Sequence, residues 1–372
     1  MNNDLHCPMI HGGLTINLKT SKKGKIGIGN CCLLETVDVD PGDIWNNSAL
    51  IPLRELNNKN IWANGCNCQY IEAAGHSSYR TGTLKMFGKE KNLVGPQRLD
   101  LLFDIGCNLA CRTCGPGAST FWQKHLIDNK IQSNFIITAE SKVEEIISIL
   151  KTLDLSRLQM VVFSGGETLL GNGYWRVAEA IAKLADPQKI TLSFQSNGTQ
   201  TIDKRYYDLI EKFHLVKLNL SLDGTETQFE YLRWPASWHQ VTDNVFNLRE
   251  TLPVNTMFLV EETISIFNLY YHNRVNSWVE ENFSTNRLGD IVNHTKHLAH
   301  GIFSIDNLTK EYIDALPNDT AKLIASNWEE NPENILAMLK EIEKFDSIRK
   351  QDWKSVFPEV YFFYKKFNTA NI

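Results

Sequence analysis

The stretch RLDLLFDIGCNLACRTC, residues 98–114, joins a short apolar segment to three closely spaced cysteines. Leu99–Ile105 is apolar and of strand length, which reads as a buried strand. Similar segments follow at Leu158–Phe163, Lys189–Phe194, Val216–Leu222 and Val254–Val260, each bounded by Gly, Asn, Asp or Pro. A sixth strand is expected at Asp290–His294. Helix-length segments at Ser141–Leu153, Tyr174–Leu184, Lys204–Phe213 and Trp238–Thr251 lie between them. Strand, helix, strand at this spacing implies parallel strands with right-handed crossovers. A doubly wound sheet and a partial or full (β/α) barrel both satisfy the pattern, and both gather functional residues at the C-terminal strand ends.

The flanks read differently. Leu14–Thr20 and Lys25–Asn30 alternate around the turn SKKG, giving a hairpin closed by Cys31 and Cys32. Asn47 and Ser48 are candidate caps for a short helix through Leu56, with Pro52 late for a first turn. Residues 306–372 read as helices at Leu308–Leu316, Asp319–Trp328, Pro332–Lys344 and Ser355–Phe367. The aromatic run from Phe357 to Phe367 is expected to pack on the core. The expected architecture is α/β, a partial (β/α)6 TIM-like barrel over 95–305. A small Cys-rich hairpin and helix module over 1–90 precedes it, and a helical extension over 306–372 follows.

Of 372 residues, 42% are hydrophobic and 22% charged, enough to bury a sizeable core and too apolar for a disordered chain. The net charge of −5 argues against binding nucleic acid through bulk positive charge. No signal-peptide pattern opens the chain and no apolar run approaches membrane length, so a soluble, cytoplasmic protein is expected. All eight cysteines lie within the first 114 residues. A secreted disulfide scaffold would be smaller and stapled throughout, so clustered thiols point to metal or redox chemistry.

Cys107, Cys111 and Cys114 sit just after the first barrel strand, on a loop where they can converge. Thiolates are soft ligands for zinc or iron–sulfur clusters. Three of them leave one iron of a cubane without a protein ligand, an open site of the kind catalysis needs. A zinc site completed by His125 is the alternative, although the first spacing departs from the usual C-x2-C knuckle.

CNLACRTC after the first strand of a βα repeat resembles the C-x3-C-x2-C signature of the radical S-adenosylmethionine (radical SAM) enzymes. The resemblance implies a [4Fe–4S] cluster whose free iron chelates the amino and carboxylate groups of SAM. It implies reductive cleavage to methionine and a 5′-deoxyadenosyl radical that abstracts hydrogen from a substrate, the cofactors carrying the chemistry. Thr113 stands where many members have an aromatic residue. Gly165, Gly166 and Glu167, ending the second strand, resemble the GGE motif that holds the SAM ammonium. Ser196 and Asn197 on the third strand end, and Ser221, Asp223 and Arg233 around the fourth, match positions that bind the SAM ribose and carboxylate. Glu261 and Glu262 are weaker candidates for the substrate side.

The N-terminal cysteines extend the likeness. Cys7, Cys31-Cys32, Ile44-Trp45, Cys66-x-Cys68, Glu72, Gly75, Ser78 (or Ser77) and Arg80 resemble radical SAM proteins with an N-terminal twitch (SPASM-like) domain, which implies an auxiliary Fe–S cluster. Either Cys31 or Cys32 is the ligand, since adjacent thiols point apart on an extended chain. Zinc, completed by His6, His11 or His76, is the alternative. The expected function is hydrogen abstraction from a peptide or small-molecule substrate, fed by an external one-electron donor such as flavodoxin or ferredoxin. The competing reading is a non-catalytic iron–sulfur or zinc electron-transfer protein on the same barrel.

Overall fold

The computed structural model describes residues 5–19, 24–73, 75–132, 142–287, 289–317 and 328–367. Its nine strands form one sheet: β1 (Gly13–Asn17), β2 (Ile26–Gly29), β3 (Val37–Val39), β4 (Arg98–Leu102), β5 (Met160–Ser164), β6 (Thr191–Ser196), β7 (Leu215–Ser221), β8 (Thr256–Ile264) and β9 (His294–Leu298). Their spatial order is β3-β2-β1-β4-β5-β6-β7-β8-β9. Strands β4 to β9 are parallel throughout, and the sheet stays open rather than closing on itself.

The parallel strands fall where the apolar segments predict, with ends moved by a few residues. The largest shifts are in the last two, where β8 runs on through Glu261 and Glu262, and β9 starts at His294 rather than Asp290. Polar strand residues carry no apolar signature, so those boundaries were not readable. The helices Gly173–Leu184 and Trp238–Thr251 match their expected spans closely, and the first acid-rich helix is Val143–Leu150. Ser141 and most of the helix expected at Asp319–Trp328 lie outside the described residues, as does the turn at Ser21–Lys23.

Register divides the sheet into two faces. Leu101, Phe163, Phe194, Leu218 and Phe258 stand in one row across β4–β8, all essentially inaccessible and packed against the surrounding helices. The next row, on the opposite face, is Asp100, Val162, Ser193, Lys217 and Met257. Alternation of this kind follows from the two-residue side-chain period, and it sets Asp100, Ser193 and Lys217 on this second face, termed the concave face.

The N-terminal hairpin does not stand apart from this sheet. Strand β1 pairs in parallel with β4 from Gly13–Arg98 to Asn17–Leu102, and β2 and β3 continue the sheet antiparallel beyond it. The following helix begins at Ile51 with Pro52 in its first turn, and neither Asn47 nor Ser48 is its cap. Proline there gives up an N–H that a first turn leaves unbonded anyway, so it marks the start instead of arriving late. At the other end, Pro332–Arg349 carries the C-terminal helices onto a second apolar core that includes Phe357 and Tyr364, as expected of the aromatic run, while Phe362 is exposed.

Candidate functional site

The cysteine loop leaves the C-terminal end of β4 and is fastened on three sides. Asp104 Oδ1 accepts from Gly106 N at 2.6 Å, turning the chain. Ala110 N and Arg112 N donate to Trp234 O and Leu232 O at 2.8 and 2.7 Å. Ser119 caps the helix Thr120–Asp128 and donates its hydroxyl to Leu109 O. Trp122 Nε1 donates to Cys111 O at 2.9 Å. Cys111 is buried, Cys107 half-buried and Cys114 open to solvent. Burial pushes the Cys107 thiol up to about 11 and raises Cys111 as well. Such thiols need bound metal to become thiolates near neutral pH.

Gly165 and Gly166 press against this loop from the end of β5. Gly166 N and Glu167 N donate to Asp104 O and Gly106 O at 3.1 and 2.7 Å. A Cβ on Gly166 would stand 2.1 Å from Gly106 O, and Gly165 has φ +143° with Asp104 O at 2.3 Å from its ideal Cβ. The two glycines therefore let one backbone lie directly on another. Glu167 is buried, and its carboxylate accepts from Ser196 Oγ at 2.9 Å, Asn197 N at 2.6 Å and Leu169 N at 3.0 Å. Burial raises its pKa against the pull of those donors. Asn197 Nδ2 lies 3.9 Å from Cys107 Sγ and donates to Asn108 Oδ1 at 3.0 Å. The ends of β4, β5 and β6 thus meet at Cys107.

The matching region spans this junction: residues 103–267 match the family model described as the radical SAM superfamily. Over these 165 residues the chain is similar to the radical SAM domain.

Solved structures similar to the chain include one described as native anSMEcpe with bound AdoMet, 18% identical, TM-score 0.37, covering 68% of this chain and 62% of that one. Another is Streptococcus suis SuiB bound to precursor peptide SuiA, 12% identical, TM-score 0.38, covering 93% and 74%. A third is TYW1 with a lysine-pyruvate adduct bound, 15% identical, TM-score 0.33, covering 75% and 89%. The chain spans less than two thirds of the anSMEcpe chain. No curated protein matches the sequence.

Within the matching region, the remaining sequence candidates divide. Asp223 and Arg233 are both buried and face each other at 2.8 Å, and Asp223 Oδ1 also accepts from Thr263 N at 2.8 Å. Apart from this ion pair, Asp223 Oδ2 and Arg233 Nε are both buried with no hydrogen-bond partner. Ser196 Oγ is engaged with Glu167 and with Gly198 N. Ser221 ends β7 beside Glu261 on the concave face. Glu262 turns to the other face, buried against His294 at 3.1 Å. Glu261 and Glu262 thus lie inside β8 on opposite faces, and only Glu261 faces the concave side.

Sequence reasoning passed over Asn108, Arg112 and Thr199. Asn108 Nδ2 donates to Thr199 Oγ1 at 2.8 Å, and Arg112 pairs with Asp346 and donates to Gln351 Oε1 at 2.9 Å. Two of the three lie between the motif cysteines, which was the available signal. His125 does not join the cysteines: its Nε2 accepts from Arg349 Nε at 3.3 Å, and its Nδ1 lies 3.3 Å from Asn129 Nδ2.

The N-terminal thiols gather at the other end of β4. Cys31, Met9, Phe87 and Met160 share one small apolar cluster, with Cys7 and Tyr79 against it. Cys32 Sγ approaches Tyr79 Oη at 3.4 Å, and the charges of Arg98 and Asp100 act on it. Cys31 and Cys32 act on each other where the chain turns after β2. The neighbouring Cys66 holds the Cys68 thiol down to about 6. Cys7 acts on both Cys31 and Cys68. Behind them, Glu72 accepts from Ser78 Oγ and from Arg80 Nε and Nη2, and Arg80 Nη1 reaches His6 O at 2.9 Å. Ser78, rather than Ser77, makes this contact. Among the described residues, no three His, Cys, Asp or Glu side chains close around a single metal ion.

Among the described residues, no helix is long and apolar enough to cross a membrane.

Proposed function

We propose that this protein is a radical SAM enzyme, with a [4Fe–4S] cluster on Cys107, Cys111 and Cys114 and SAM lying against the ends of β5, β6 and β7. The junction of Gly165-Gly166-Glu167 with the cysteine loop carries the reading. The donor set suits the group: three thiols on one loop, a buried carboxylate and a buried guanidinium with an unpartnered Nε. When bound, cluster and SAM supply one-electron cleavage of SAM and a carbon radical able to take hydrogen from a substrate.

The chain's own residues then have distinct tasks. Glu167, fixed by three donors, complements the SAM ammonium. Arg233 offers its free Nε to the SAM carboxylate, and Asp223 aims that guanidinium. Ser196 and Asn197 fix Glu167 and approach Cys107, so they act on SAM chiefly through Glu167. Ser221 is left on the concave face for the ribose, beside Glu261. Aligning opposite charges in a buried site is worth more than the same pairs in water.

The five N-terminal thiols are proposed to hold an auxiliary Fe–S cluster, with Cys7, one of the Cys31-Cys32 pair, and Cys66 and Cys68 as donors. The mutual contacts of those thiols at the base of the concave face support this. The substrate proposed is a peptide or small molecule, held between the two thiol groups. A one-electron donor such as flavodoxin or ferredoxin is proposed to feed the cluster.

Calorimetric SAM titration of the reconstituted protein tests the pocket. Glu167→Ala is expected to weaken SAM binding about tenfold or more, since a hydrogen bond to a charged group contributes roughly 1.5–3 kcal/mol. Unchanged affinity with an intact cluster would place SAM elsewhere.

A further inference from the structure

Three buried guanidinium groups stand behind the cysteine loop: Arg112, Arg233 and Arg349. Arg233 is matched by Asp223, and Arg112 by Asp346. Arg349, at the end of the helix Pro332–Arg349, is matched by no carboxylate among the described residues. Its Nε donates to His125 Nε2 at 3.3 Å, and both Nη1 and Nη2 are buried without a hydrogen-bond partner. The rings of Trp122, Trp234 and Phe345 surround it, their centroids 4.5, 4.8 and 5.0 Å from Cζ.

Burying a guanidinium with free N–H groups is costly, and aromatic faces recover only part of that cost. His125 brings no charge of either sign at pH 7, since burial and Arg349 itself hold it down to about 4. Asp346 is already engaged by Arg112, by Tyr231 Oη at 2.8 Å and by Trp353 N at 2.8 Å. Arg349 reaches the cysteine loop through a single residue. The link is short: the ring that covers Arg349 belongs to Trp122, whose Nε1 donates to Cys111 O. Arg233 also acts on Cys111, but with its own carboxylate beside it. Paired charges largely cancel at a distance, and a lone buried charge does not.

We propose that Arg349 is the counter-charge of the cluster at Cys111, a positioning residue that favours the reduced, more negative state and so raises the cluster's reduction potential. This rests on the cluster assignment above. A charge set in the protein around a cluster is one of the levers by which proteins tune such potentials. The electron itself comes from the external donor and stays on the cluster, so no bond to Arg349 forms or breaks.

The test is a reductive titration of the full-length, anaerobically reconstituted protein without SAM, followed by electron paramagnetic resonance. The signal to follow is the one that vanishes when Cys107, Cys111 and Cys114 are all Ala. Arg349→Met is expected to lower the reduced-to-oxidised ratio about tenfold at a given potential, about 59 mV for a one-electron couple, and Arg349→Lys to stay near wild type. His125→Asp keeps Arg349 but sets a carboxylate beside it, and is expected to shift the midpoint in the same direction. That second variant carries the test if Arg349→Met does not fold. Midpoints unmoved in Met and Asp variants that retain full iron would overturn the proposal. No signal sensitive to the three cysteines would instead overturn the cluster assignment itself.

Discussion

Replacing Cys107, Cys111 and Cys114 together by Ala is expected to abolish 5′-deoxyadenosine formation from SAM, down to the level of a protein-free control. The loop that carries them is held by Trp234 O, Leu232 O and Ser119, none of which depends on the thiols. The variant should therefore keep its fold while losing its cluster, and circular dichroism checks the first half of that statement. Cys111 is buried, so its Ala substitution leaves a small apolar gap costing about 1 kcal/mol, well within what a domain of this size tolerates. Persistent 5′-deoxyadenosine would remove the catalytic assignment of the loop.

Gly166→Ala is expected to be nearly as damaging by a different route. The added methyl meets backbone atoms only, Gly106 O at 2.1 Å, Gly106 C at 2.6 Å and Ile105 C at 2.7 Å. No flexible side chain can move aside, so the β5 end must separate from the cysteine loop. Overpacking of this kind costs about 1–3 kcal/mol or more, and here the displacement falls on Glu167 and Cys107 together. Loss of SAM affinity and of bound iron in one variant, with helix content kept, is the expected result. Wild-type iron and SAM affinity would show that the two loops are not coupled.

The barrel was legible because its strands are buried on at least one face and separated by helix-length segments, as Leu158–Phe163 and Trp238–Thr251 illustrate. Its polar ends were not: nothing apolar marks Glu261, Glu262 or His294 as strand. The cysteine loop and Gly165-Gly166-Glu167 were visible as motifs, but the sequence could not say that the glycines serve loop-on-loop contact. Asp223 and Arg233 were named as parallel ligands, and pairing at 2.8 Å makes one the support of the other. That distinction depends on two chain segments meeting, which spacing alone does not encode. Continuity of β1 with β4 was hidden for the same reason, since the paired residues Asn17 and Leu102 are 85 positions apart, beyond any local pattern. Arg349 shows the limit most clearly. Its burial and the absence of a carboxylate beside it are set by segments far apart in the chain, which no local pattern encodes.

The most direct test of the whole account is iron and labile sulfide per chain after anaerobic purification. It compares the wild type with the variant in which Cys107, Cys111 and Cys114 are all Ala. About eight irons falling to about four is the expected result, one cubane on the radical SAM loop and one on the N-terminal thiols. Equal iron in both proteins would contradict the central claim that this loop holds a cluster.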